Sequence, residues 1–133
     1  MVTNLKNAPL ILIVDDDSLI RRLCARVLSR AGFTTLAASD GTEAVQQFSD
    51  HSGEIAAVLL DLSLPNERGD TIFYKCHTIN PQIPIIMMSG YDKHTVASIF
   101  TDPNRSPSGY LSKPFMPTDI VELINKKIST GQE

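Results

Sequence analysis

Cysteines, long apolar runs and excess charge of either sign are all scarce in this chain of 133 residues. Its two cysteines, Cys24 and Cys76, fall far apart, and neither has a second thiol or a histidine at ligand spacing. That argues against a disulfide framework or a thiolate metal site, and for free, buried thiols in a reducing compartment. No apolar run approaches the roughly 20 residues of a membrane span. The start of the chain lacks the shape of a signal peptide, because the apolar run Leu10–Val14 is short and ends in three aspartates. A net charge of −3 supplies neither a basic stripe for nucleic acid nor an acidic tail. No linker or low-complexity tract divides the chain. The expectation is one cytoplasmic domain over residues 9–129, with flexible ends at 1–8 and 130–133. A domain near this size buries roughly two-thirds of its unfolded surface and needs no staples.

What the chain does have is a regular beat of short apolar runs and helical periodicities. Leu10–Val14 is a continuous apolar run and reads as a buried strand. Leu19, Ile20, Leu23, Val27, Leu28 and Ala31 then recur at helical spacing, with Asp17 or Ser18 as cap and Gly32 as stop. Thr34–Ala38 is a second strand, and Asp40 with Glu43 resembles a capping box. A third strand ends at Asp61, before Pro65-Asn66. Ile72, Phe73, Cys76 and Ile79 mark a helical face. Ile85–Met88 is a fourth strand, a short helix fits Lys93 to Phe100, and Gly109–Ser112 is a fifth strand. Pro117 suits a first helical position, ahead of Ile120, Leu123, Ile124 and Ile128. Five βα units make an α/β fold. Right-handed crossovers make its strands parallel, with helices on both faces.

All five strands then end on one sheet edge, where open α/β sheets bind ligands. Asp15 and Asp16 follow the first strand, Asp61 ends the third, Ser89 the fourth and Lys113 the fifth. Three carboxylates gathered there would raise one another's pKa, and a divalent cation resolves the conflict. Hard carboxylate oxygens favour magnesium, with manganese as a substitute. Asp16 and Asp61 read as direct ligands and Asp15 as one acting through water, with the Ser63 carbonyl as a further oxygen. The remaining groups suit phosphoryl transfer, in which positioning and electrostatics do most of the catalysis. Asp61 is the candidate nucleophile, giving an acyl phosphate. Lys113 can pair with Asp61 before transfer and a phosphoryl oxygen after it, and the Ser89 hydroxyl can donate to another.

These residues resemble the receiver domains of two-component response regulators. The likeness rests on Ile11–Asp16, Leu59–Pro65, Met88-Ser89-Gly90 and Tyr110-Leu111-Ser112-Lys113-Pro114-Phe115, and extends from about Pro9 to Ile128. It implies a flavodoxin-like (βα)5 three-layer sandwich with strand order 2-1-3-4-5, and a cis bond between Lys113 and Pro114. It implies a histidine kinase or histidine phosphotransfer protein as phosphoryl donor to Asp61. Such a module is a phosphoacceptor that catalyses at most its own phosphorylation and dephosphorylation. It also implies a switch, in which the Ser89 hydroxyl moves toward the phosphoryl group and Tyr110 turns inward, signalling to a protein partner.

The sequence departs from that pattern at two places. Asp102–Ser108 brings two prolines where the family has a helix and an Ala-rich turn, so a short fourth helix and an irregular loop are expected. Gly90 stands where alanine is usual, and Ser63, Gly90 and Tyr91 are expected to tune the lifetime of the phosphoryl group. Asp17 reads as a helix cap rather than a ligand, and His51, His77 and His94 as solvated surface. A haloacid-dehalogenase-type phosphatase is the main rival, but its second aspartate would stand where Ser63 does. A flavin carrier would need a phosphate loop where Asp15-Asp16-Asp17 repels phosphate. An inactive receiver acting only as a docking module ranks low, because every site position is filled.

Overall fold

The computed structural model describes residues 8–131; residues 1–7 and 132–133, part of the ends expected to be flexible, lie outside the described residues. Ten elements alternate: β1 (Leu10–Val14), α1 (Ser18–Arg30), β2 (Thr34–Ala38), α2 (Gly41–Asp50), β3 (Ile55–Asp61), α3 (Gly69–Ile79), β4 (Ile85–Ser89), α4 (Lys93–Ala97), β5 (Gly109–Ser112) and α5 (Pro117–Gly131). The strands form one parallel sheet in the order β2-β1-β3-β4-β5, the flavodoxin-like order.

The continuous apolar strands follow from burial on both faces. Leu12, Val14, Val58, Leu60, Ile85 and Met87 face one cluster, closed by α2, α3 and α4. Their alternate neighbours Ile11, Ile13, Ala57, Leu59, Ile86 and Met88 face the other, closed by Cys24 and Leu28 of α1 and Ile120 and Ile124 of α5. Each fully buried side chain of this size contributes roughly 1.5–3 kcal/mol. Asp17 caps α1 by accepting the Leu19 amide at 2.9 Å, and Gly32 follows the helix at φ 97°, a conformation that costs other residues a Cβ clash. Asp40 caps α2 through the Glu43 amide at 2.8 Å, but Glu43 reaches back to the Ser39 amide at 2.7 Å, one residue before the cap.

Several expectations shift. The buried face of α1 is Ile20, Cys24, Val27 and Leu28, whereas Leu19 and Leu23 are 70% and 38% exposed. Neighbours along a helix differ by a hundred degrees, so the apolar spacing spread over two faces, and the core took the one that bears Ile20, Val27 and Leu28. Ile79 likewise ends α3 in solvent. α5 continues to Gly131, past the expected fraying point, because no breaker precedes that glycine. α4 stops at Ala97 rather than Phe100. Its last turn tightens into i+3 bonds from Ile99 to Val96 and from Phe100 to Ala97, both 3.1 Å.

The loop after α4 is irregular but anchored. Arg105 donates to the Tyr74 carbonyl at 3.0 Å and to the Thr78 hydroxyl at 2.9 Å, and its guanidinium lies 4.8 Å from the Tyr74 ring centroid. Its Nε also lies 3.5 Å from His77 Nδ1, so His77 has a partner that a surface reading missed. His51, too, is paired, with Glu54 at 2.8 Å. Arg105 thus ties the segment leading into β5 to the last turns of α3. Arg105→Ala should lower stability by about 1–2 kcal/mol and raise amide exchange across residues 101–108, read by urea unfolding and hydrogen–deuterium exchange.

Candidate functional site

Register brings the strand ends level. Val14 pairs with Leu60, Asp61 with Met88 and Ser89 with Ser112, so the residues at or just past those positions share one edge. Asp15 is fully buried there, and each of its polar groups is engaged. Its amide donates to the Ala38 carbonyl at 3.1 Å, and its Oδ1 accepts the Asp17 amide at 2.9 Å. Its Oδ2 takes Lys113 Nζ at 2.7 Å, and its carbonyl takes Arg21 Nη1 at 2.7 Å. Asp61 is 4% exposed, and its Oδ1 accepts the Ser63 amide at 3.0 Å. Lys113 pairs with Asp61 Oδ2 at 3.5 Å, as expected, but its shorter ion pair is the one with Asp15.

Asp16 is exposed, yet one oxygen from each of Asp15, Asp16 and Asp61 lies within 4.8 Å of the others. Burial pushes Asp61 up to about 6; the Ser63 amide opposes this, the Asp15 charge adds to it, and Lys113 offsets part of it. Lys113 loses stability as a cation through burial, but Asp15 and Asp61 more than compensate and its pKa rises. The site is therefore a set of oxygen donors with more negative charge than its one lysine neutralises. A hard cation fits such a donor set.

Ser89 is buried at the end of β4. Its hydroxyl oxygen accepts the Tyr91 amide at 3.0 Å, which leaves the proton to donate elsewhere, and its carbonyl accepts the Lys113 amide at 2.7 Å. The Lys113–Pro114 bond is cis. Ser63 and Gly90 are exposed, Tyr91 is 60% exposed, and a Cβ at Gly90 would meet nothing within 4 Å. Tyr110 is half-buried against the cluster under α2, α3 and α4, and burial raises its phenol pKa. The thiol of Cys24 is pushed up to about 11, by burial first and then by the Asp15 charge, so it stays protonated beneath the site.

Two residues escaped the reading of the sequence. Arg21 binds the Asp15 carbonyl from the second turn of α1, and no motif announces it. Gly69 opens α3 directly against the backbone of Asp61 and Leu62. A Cβ there would stand 2.5 Å from the Asp61 carbonyl oxygen and 2.5 Å from Leu62 Cα, and the Gly69 amide donates to the Leu62 carbonyl at 2.9 Å. A glycine opening a helix soon after an Asp-terminated strand was the available signal.

Residues 11–125 match the family model of the response regulator receiver domain. The chain is 29% identical over 120 residues to the chemotaxis protein CheY of Bacillus subtilis, covering 90% of this chain and 97% of that protein. It is 29% identical over 129 residues to the sensor kinase CckA of Brucella abortus, covering 94% of this chain but 13% of that protein. A response regulator receiver domain protein (CheY-like) from Methanospirillum hungatei superimposes with a TM-score of 0.85 at 28% identity, covering 94% of this chain and 97% of that one.

Two outcomes follow from the geometry. Gly69→Ala should destabilise the protein by about 1–3 kcal/mol, because backbone rather than a flexible side chain must yield. Asp61 holds its proton more tightly in the folded protein than in the unfolded chain. Its contribution to stability is thus full below pH 3.8 and lost as the pH rises through about 6. Without divalent cations, Asp61→Asn should exceed wild type in stability by on the order of 2 kcal/mol at neutral pH. The gap should close as the pH falls toward 4, read as urea midpoints across pH.

Proposed function

The chain belongs to the response regulator receiver domain family, and from that premise we propose that residues 9–129 form a phosphoacceptor unit whose Asp61 takes a phosphoryl group. The observation that carries this reading is the convergence of Asp15 and Asp16 on a buried Asp61 with Lys113 beside it. Among the described residues no helix is long and apolar enough to cross a membrane, in keeping with a cytoplasmic signalling role.

Magnesium, or manganese in its place, suits the oxygen donor set: Asp16 and Asp61 as direct ligands, Asp15 through water, and the Ser63 carbonyl. When bound, such a cation neutralises charge on the transferring phosphoryl oxygens. The donor is a phosphohistidine of a histidine kinase or histidine phosphotransfer protein. A carboxylate oxygen of Asp61 forms the new P–O bond as the P–N bond breaks, and the departing imidazole takes a proton from solvent. Lys113 then shifts from the carboxylates toward a phosphoryl oxygen, and the Ser89 hydroxyl donates to another. Exposed Leu19 and Leu23, one turn apart on α1 beside the acidic turn, favour a protein as donor.

Once phosphorylated, Asp61 draws Ser89 toward it, and Tyr110 on the neighbouring strand packs deeper. The surface of α4, β5 and α5 then passes the change to a protein partner rather than to nucleic acid. The short α4 and the Arg105 anchor confine that change to few residues. Ser63, Gly90 and Tyr91 border the phosphoryl position and govern the access of hydrolytic water. A phosphatase of the haloacid-dehalogenase type is disfavoured by Ser63, which offers Asp61 an amide and no general acid.

Incubation with acetyl phosphate and intact-mass measurement test the proposal. One magnesium-dependent phosphoryl adduct is expected on wild type and none on Asp61→Ala. An unmodified wild type, with folding and cation binding verified, would favour a docking receiver.

A further inference from the structure

We infer that Arg21 is a positioning residue for the cation site, a role that rests on the reading of Asp15, Asp16 and Asp61 as cation ligands. β1 leaves the sheet after Val14 and α1 begins at Ser18, so residues 15–17 form a turn between sheet and helix. The Arg21 side chain ties the start of this turn back to the helix. Its amide makes the first helical bond of α1, to the Asp17 carbonyl at 3.1 Å, as any residue there would, and its guanidinium folds back to donate to the Asp15 carbonyl at 2.7 Å. The second bond is short, charge-assisted and partly buried, which makes it strong for its kind. It fixes the peptide plane joining Asp15 to Asp16.

That plane matters because of where the Asp16 side chain leaves it. Asp15 and Asp61 are buried and held by their own hydrogen bonds, whereas Asp16 is exposed. An exposed carboxylate beside two buried ones is driven outward by like charge. The backbone holds it in place, and Arg21 holds the backbone. A guanidinium here also repels an incoming cation, so two effects of opposite sign compete. Orientation prevails: the guanidinium is held on a backbone carbonyl at the turn, and the ligand it orients would otherwise leave the cluster. Partners that orient metal ligands typically change metal affinity by about 10–100-fold when removed.

The test is calorimetric titration of magnesium into wild type, Arg21→Ala, Arg21→Lys and, as a charge control, Arg22→Ala. Arg22 is exposed on the next position of α1. Urea unfolding of each variant accompanies the titration. Arg21→Ala should bind magnesium at least about tenfold more weakly, and Arg22→Ala close to wild type. Arg21→Lys should recover much of the loss, because an ammonium on a similar stem still reaches the carbonyl. Phosphorylation by acetyl phosphate should be slow in Arg21→Ala at low magnesium and near wild type at saturation. No binding by folded wild type would sink the cation reading itself. Binding by wild type with Arg21→Ala unchanged or tighter, or a rate deficit that saturating magnesium leaves intact, would overturn the positioning role alone. Should Arg21→Ala fail to fold, Arg21→Gln carries the same comparison with the same outcomes.

Discussion

The ion pair between Lys113 and Asp15 joins residues 98 positions apart and closes the edge of the sheet. β1 and β5 are not neighbours; β3 and β4 lie between them. Three inter-strand steps amount to roughly 14 Å, a span that the long lysine stem helps to bridge. Asp61, at the end of β3, therefore lies beneath a bridge. Its burial raises its pKa, and Lys113, 3.5 Å from its Oδ2, offsets part of that rise.

The electrostatics of the edge are unbalanced by design of the topology. Parallel strands that end together gather whatever follows them, and here that is three carboxylates against one lysine. The fold tolerates this charge because its apolar layers, sealed on both faces of the sheet, supply stability elsewhere. The carboxylates are thus gathered and held by the fold itself, which is the arrangement that the proposed phosphoryl transfer requires.

Much of this was legible in the residues alone. Asp15, Asp16, Asp61, Ser89 and Lys113 could be grouped because each stands at a strand end, and strand ends are what a one-dimensional reading of βα units locates best. What remained hidden depends on side chains that turn back. Arg21 and Arg105 look like ordinary surface cations; only the path of a long stem onto a distant carbonyl gives them a purpose. On α1, Ile20, Val27 and Leu28 face the core as expected, but Leu19 and Leu23 do not, because they fit helical spacing as well as Cys24 does. The choice between those faces belongs to the opposing layer, not to the helix. Gly69 was hidden for the converse reason, since its role is the absence of an atom.

The two buried thiols carry a consequence of their own. Cys24 sits in the layer of α1 and α5, and Cys76 in the layer of α2, α3 and α4, one on each side of the sheet. Burial pushes their pKa values to about 11 and about 12, so in the closed protein neither is a useful nucleophile. Each becomes reactive only when its own layer lifts away. The chain thereby carries two native clocks, one per face, whose alkylation rates separately time the breathing of the side beneath the acidic edge and of the side that bears Tyr110.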